Sequence, residues 1–539
     1  MSAAGVVVFL CFIGATLGIT WWAGKKNKSV DDHLVAGGNI GGRQNGFAIV
    51  GDAISASTFL GSIGAIALVG FNSIFLAAFA PIAFVVGMLL VAEPLRNLGR
   101  FTLADVVAVR FPGKPVRLAM ATSSASISLL YIVAQYVAGA LLVNLLFGVD
   151  YWISVVIIAA LTSVYALVGG MLAATWIQII KAIMLLFCIA LLLLSVLSKF
   201  NWSVLNLFSS AAELSDGKLV EPTHAGFLAG VDQISLSMGL ILGVVGLPHI
   251  LIRFLTVKDA KAARTSAITC VWIVSALLLA FPVVAYGASV LVGSGAITRA
   301  SAGGNLAVPL LAEFLGGDLL LAFVSAVAVS TILASLAGMV IATTGAVAHD
   351  IYGQVVKSGN ISQQVELRVA RIVVAATGAV ATGIALAARD QNIAVIASLA
   401  IALAASSNFP ALMATIYSRH VTGSGLTSGL AAGLVSAVVM IALSPTVHGQ
   451  DAPLSLVNPA IVSVPVALLT IALVSWLTRP TGNNRSAAEA SFEAMRYQAI
   501  TGVSPIAVPS GLSHLQPSRK KSGSSDLVGV WCDRSDSCR

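Results

Sequence analysis

Apolar residues along this chain run in long unbroken blocks. They show neither the period of two of a half-buried strand nor the polar stripe of a helix lying at a water-facing surface. A helix needs about 20 apolar residues to cross a bilayer. Blocks of that order recur near 5–23, 46–70, 73–95, 118–147, 151–169, 171–198, 234–253, 266–293, 319–348, 368–388, 391–417, 423–444 and 457–477. The pattern predicts an all-α polytopic membrane protein with about thirteen transmembrane helices. The first block has no basic leader and no small-residue cleavage site, so it is expected to be a retained helix.

Polar punctuation concentrates in four blocks. "GDAISASTFLG" (51–61) puts Asp52, Ser55, Ser57 and Thr58 into the second. "GLILGVVGLPHILIRF" (239–254) weakens the seventh at its middle with Gly239, Gly243, Gly246 and Pro248. "VAVSTILASLAG" (327–338) gives the ninth Ser330 and Thr331, and "AASSNFPALM" (404–413) gives the eleventh Ser406, Ser407, Asn408 and Pro410. In any single helix such residues are explained by close packing and by hydroxyls bonding back to a preceding carbonyl. The second and seventh blocks, however, lie five helices apart and are both interrupted. Paired interruptions of that kind predict an inverted repeat whose broken helices meet at a substrate site.

Composition and charge sharpen the class. The 539 residues are 58% hydrophobic and 10% charged, against roughly 25% charged in soluble domains. With the amino end outside, Lys199, Lys218, Arg299 and Arg389 alone face outward and Lys181 alone lies within a span. The rest of the 30 Lys and Arg, Arg253 included, fall in inside loops and the tail. This positive-inside split predicts a multi-pass protein of the plasma (cell) membrane with a cytoplasmic carboxyl terminus, and it accounts for the net +8 without nucleic acid. The largest loop, 199–233, is too short for a catalytic domain. The tail from 480, rich in Ser, Gly and basic residues, reads as disordered. Cys11, Cys188 and Cys270 fall in spans, and Cys532 and Cys538 in the tail. The chain has no phosphate loop, zinc spacing or nucleophile elbow, so neither an enzyme nor an ATP-driven pump is expected. Nor is a cofactor or an obligate protein partner.

The motifs "AGGNIGGRQNGFAIVGDAISASTFLG" (36–61), "AEPLRNLGRFTLADV" (92–106), "GGMLAATWIQIIKAIMLLF" (169–187), "GLPHILIRFLTVKDAKAAR" (246–264), "AHDIYG" (348–353) and "ALAASSNFPALM" (402–413) occur in this order. Through them the chain resembles the sodium:solute symporter family, and within it the acetate permease branch. The resemblance implies a leucine-transporter-like inverted 5+5 repeat with one extra helix before and two after. The layout would be 1–45 for the first helix and its loop, 46–198 for the first repeat and 199–233 for an outer loop. The second repeat would span 234–418, two further helices 419–479 and the tail 480–539. It implies sodium held by carbonyls of Gly51, Ile54 and Val327 and hydroxyls of Ser330 and Thr331. It further implies a substrate beside that site, near Ser55, Ser57, Thr58, Tyr131, Gln135 and Asn408.

Two residues stand out as coupling candidates. Asp52, a lone buried carboxylate, either carries a proton or caps the loosened helix. Many sodium-coupled relatives carry an Asp after the Trp of the "GG…W" motif, where this chain has Gln178, with Lys181 following one turn on. Lys181 either snorkels to water or faces carbonyls and hydroxyls near Ser330 and Thr331 as a rival to sodium. The implied function is a secondary active symporter coupling inward sodium or proton flow to uptake of short monocarboxylates such as acetate, propionate or pyruvate. The alternative is a sodium symporter for another small solute such as proline. A channel would need a continuous polar pore lining and a sensor an output domain, and the sequence shows neither.

Overall fold

The computed structural model describes residues 35–99, 101–222 and 226–503, with isolated positions between 7 and 22. Most of the predicted span at 5–23 and the chain after 503 lie outside the described residues. Among the described residues, regular structure is helical, apart from one isolated bridge between Ile40 and Val257.

The first repeat opens with α1 (Gly42–Ala53) and α2 (Ser57–Val69), which are bent by 53° at the break between them. The first turn of α2, Ser57–Ser62, is a π-helix, a form frequent at functional sites. It continues through α3 (Phe71–Leu90), short α4 (Ala92–Leu98) and α5 (Leu103–Ala108), then α6 (Lys114–Phe147) and α7 (Tyr151–Lys199). After α8 (Val204–Ser215), the second repeat opens with α9 (Phe227–Val244). Following a break at residues 245–247 come α10 (Pro248–Leu251) and a 3-10 turn, Ile252–Leu255. Next are α11 (Ala260–Leu291), α12 (Ala307–Thr344) with its π-helical extension Gly345–Val356, α13 (Gln363–Ala387), α14 (Ile393–Ser406) and α15 (Asn408–Tyr417). Beyond the repeats lie α16 (Gly423–Ala442), α17 (Ala460–Leu477) and α18 (Asn483–Thr501).

Ten helical segments are long and apolar enough to cross a membrane, or eleven with the bent α1–α2 pair. The described residues therefore do not reach the expected thirteen. Most of the first block lies outside them, and the fifth is the shorter apolar stretch Tyr151–Val164, joined to the sixth within α7.

Burial sorts the helices into layers. The most apolar window is 89% buried in the α14–α15 span and 17% buried in α13, which leaves α13 at the periphery. The central helices approach closely at glycines. A Cβ on Gly51 would lie 2.6 Å from the Gln178 carbonyl oxygen, so α1 and α7 cannot meet this way with a larger residue. Gly246 serves the α9–α10 break similarly, since a Cβ there would lie 2.6 Å from the Ala404 carbonyl oxygen.

The two broken helices are also joined directly. Ile40 N–H donates to the Thr256 carbonyl at 3.0 Å, and Asn45 Nδ2 donates to the Arg253 carbonyl at 2.9 Å. Thr256 Oγ1 returns a bond to Asn45 Oδ1 at 3.1 Å.

One expectation fails at the carboxyl side. Residues 483–501, placed in a disordered tail, form α18, which packs on α4. Asn97 Nδ2 donates to the Ala499 carbonyl at 2.8 Å, and Gln498 Nε2 to the Asn97 carbonyl at 3.1 Å. The Arg110 guanidinium lies 4.8 Å from the Phe111 ring and 4.6 Å from the Phe492 ring, and it donates to the carbonyls of Thr415 and Ser418. Phe492, Met495 and Ala499 make the buried face that seats the helix.

Candidate functional site

Two polar clusters meet at the break between α1 and α2. The first is neutral. The Ser55 hydroxyl lies 3.2 Å from the Tyr131 hydroxyl and 3.5 Å from that of Thr58, which donates to the Ala53 carbonyl at 3.3 Å. One turn along α6 from Tyr131, Gln135 spans the break. Its Oε1 accepts the Ala56 N–H at 3.3 Å, and its Nε2 donates to Ser57 Oγ at 2.7 Å. The first N–H groups of a helix have no partner within it, and here α6 supplies one.

Ser55, Ser57, Thr58, Tyr131 and Gln135 thus come together. Asn408 does not join them. Its Nδ2 donates to the Gly246 carbonyl at 2.9 Å and to Ser124 Oγ at 3.3 Å, and its Oδ1 accepts the Ser123 hydroxyl at 2.7 Å. The physical demand comes from the second break, whose exposed carbonyl needs a donor.

The second cluster is charged. Asp52 Oδ2 accepts Arg253 Nε at 2.5 Å, and Oδ1 accepts Gln178 Nε2 at 2.5 Å. Arg253 Nη1 also donates to Thr175 Oγ1 at 2.8 Å. Asp52 is therefore not a lone carboxylate, and Arg253 does not belong to a loop. The 3-10 turn after α10 carries the guanidinium inward, and both side chains of the pair are fully buried. Gly338 of α12 makes room for the carboxylate, since a Cβ there would come 3.2 Å from Asp52 Oδ1.

Lys181 is 1% exposed. Its Nζ donates to the Gly51 carbonyl, to the Thr331 carbonyl at 3.2 Å and to Ser335 Oγ at 2.9 Å. Of the remaining expected cation ligands, the Val327 carbonyl accepts the Thr331 hydroxyl at 2.7 Å. Ile54 ends α1, its N–H on the Val50 carbonyl, and Ser330 is buried beside Thr331. Snorkelling is excluded by this geometry, because the amine ends among oxygens at the break rather than at an interface.

Four buried groups have atoms without a hydrogen-bond partner around these clusters: both ring nitrogens of His249, Nη2 of Arg253, Oε1 of Gln178 and Oγ of Ser128. The His249 ring stands edge-on to Tyr131 with centroids 5.3 Å apart. His249 and Arg253 are four residues apart just past the second break. Sequence reasoning missed both, along with Ser335. The available signal was the spacing H-x-x-x-R directly after a helix-breaking Gly-Leu-Pro.

Near residues 102–117, Asp105, His349 and Asp350 offer ligand atoms within 4.8 Å of one another. Arg117 bonds Asp105 at 2.9 Å and Asp350 at 2.6 Å, so a fixed cation already serves the two carboxylates.

Two interrupted helices, opening two five-helix repeats and meeting at a buried polar centre, define a secondary transporter of the leucine-transporter fold. Solved structures agree on that fold. A Na+-coupled sialic acid symporter aligns with TM-score 0.70 at 15% identity, covering 89% of this chain and 99% of that one. Mhp1, a nucleobase-cation-symport-1 family transporter, aligns with TM-score 0.55 at 15% identity, covering 85% and 98%. The uncharacterized symporter YwcA of Bacillus subtilis (strain 168) is 39% identical over 518 residues, which is 93% of this chain and 99% of that protein. The model of the sodium:solute symporter family matches residues 33–433. The chain belongs to that family and is a cation-coupled, multi-pass membrane symporter of a small solute.

Proposed function

We propose that the solute is a short monocarboxylate such as acetate, propionate or pyruvate, taken up by alternating access. The supporting observation is the charge count at the α1–α2 break. Two buried cations, Arg253 and Lys181, stand against one buried carboxylate, Asp52, and Arg253 keeps an unpartnered Nη2. Uncompensated charge at membrane depth is costly, and a singly charged anion removes the surplus. A guanidinium N–H makes a strong, charge-assisted bond to a carboxylate. The Ser55–Tyr131 hydroxyl pair and the His249 ring supply further donors and an edge against which a small apolar group packs.

The same count disfavours proline. A zwitterion carries its own ammonium into a site already rich in cations, and its two charges leave the surplus in place. The residues that carry this reading are Asp52, Ser55, Ser57, Thr58, Tyr131, Gln135, Lys181, His249 and Arg253, with Asn408 holding the second break in shape.

Counterflow of labelled acetate in proteoliposomes tests it. Unlabelled propionate and pyruvate should compete with acetate, and proline and glucose should not. Exchange of labelled proline without acetate exchange would transfer the protein to the alternative.

A further inference from the structure

We propose that Lys181 is a tethered replacement for the metal cation expected at Gly51 and Thr331, so that substrate binding needs no sodium there. An ammonium has three N–H donors and no acceptor. All three find oxygens: the carbonyl of Gly51 at the end of α1, the carbonyl of Thr331 and the hydroxyl of Ser335. A desolvated monovalent metal ion asks for the same thing, neutral oxygens converging on one point. The amine reaches that point from α7, and its stem is buried along the way.

Charge excludes a second occupant. A sodium ion on the Gly51 carbonyl would lie within a few ångströms of Nζ, where low dielectric strengthens repulsion. The nearby carboxylate, Asp52, is already paired with the Arg253 guanidinium, so its single charge does not compensate a further cation. Two other expected sodium ligands are also committed or set apart. The Val327 carbonyl holds the Thr331 hydroxyl, and among the described residues no hydrogen bond joins Ser330 to Lys181. The residues present therefore fit a fixed ammonium and not a soluble metal ion.

This inference concerns the site of the proposed carboxylate, but its test is kept separate from that reading. The full-length protein, purified in nanodiscs, is compared in sodium chloride and in choline chloride of equal ionic strength. Two readouts are taken, thermal stability without substrate and affinity for acetate. For the wild type, both should be the same in the two salts. Lys181→Ser frees the oxygens, so sodium should raise its melting temperature over choline and restore acetate affinity by roughly tenfold or more. A wild-type protein stabilised by sodium without substrate would overturn the inference, whether or not the variant folds. If acetate binds in neither salt while wild-type stability ignores sodium, the carboxylate reading fails and the lysine assignment stands.

Discussion

Replacing Arg253 by glutamine separates the two duties assigned to that side chain. In the wild type, the guanidinium meets Asp52 at 2.5 Å with both groups fully buried. Removing one partner of such a pair strands a charge, at a cost of about 3–5 kcal/mol. Gln178 still donates to the other oxygen of Asp52 and offsets part of this, so the expected loss is nearer about 3 kcal/mol. Arg253→Gln also removes the unpartnered Nη2 proposed to hold the substrate carboxylate. A hydrogen bond to a charged group is worth about 1.5–3 kcal/mol, or roughly ten- to hundredfold in affinity. The double variant Asp52→Asn, Arg253→Gln removes both charges and leaves two amides that can bond each other. It should recover most of the stability but none of the affinity. Thermal unfolding of the solubilised protein reads the first quantity and acetate counterflow the second. Wild-type acetate affinity in the double variant would refute the role of Arg253 in substrate binding. Wild-type stability in Arg253→Gln would refute the structural role of the pair.

Three other substitutions probe the neighbouring contacts. Gln135→Leu leaves the Ala56 N–H and the Ser57 hydroxyl without their partner from α6, an unsatisfied-donor cost of about 1–3 kcal/mol. It should raise the half-saturating acetate concentration, and an unchanged value would remove Gln135 from the site. Asn408→Ala should lower the melting temperature through the lost Gly246, Ser123 and Ser124 bonds while changing acetate affinity little, the reverse of Gln135→Leu. A pure affinity defect would place Asn408 back with the substrate. Gly51→Ala pushes a methyl group toward Gln178 and should abolish counterflow even where the protein reaches the membrane in normal amount.

The broken helices were legible because Gly, Pro and hydroxyls punctuate two blocks five helices apart, a coincidence that close packing within a single helix does not produce. The neutral cluster was legible for a similar reason: Tyr131 and Gln135 are one turn apart on one helix, a spacing that places them on one face. Arg253 was marked only by its spacing from His249. A basic residue near the end of an apolar block counts as a loop residue unless its partners are known, and here they come from α1 and α7. The three oxygens around Lys181 likewise belong to two other helices, and one-dimensional spacing does not show which faces meet. The α18 helix could have been read. Phe492, Met495 and Ala499 recur at helical intervals, but the polar residues around them dominate the composition.

The bonds among Ile40, Asn45, Arg253 and Thr256 have a mechanical meaning for the transport cycle. They tie the two interrupted helices at one end, so α1 and the 3-10 turn are expected to move as one body rather than as two independent gates. The Asp52–Arg253 pair lies at the same junction and is itself bonded to α7 through Gln178 and Thr175. Lys181 of α7 adds a third bond across this junction, to the Gly51 carbonyl. Spectroscopic labels at residues 44 and 258 should keep one separation in every state of the carrier. A label at 44 paired with one on α7 should report two.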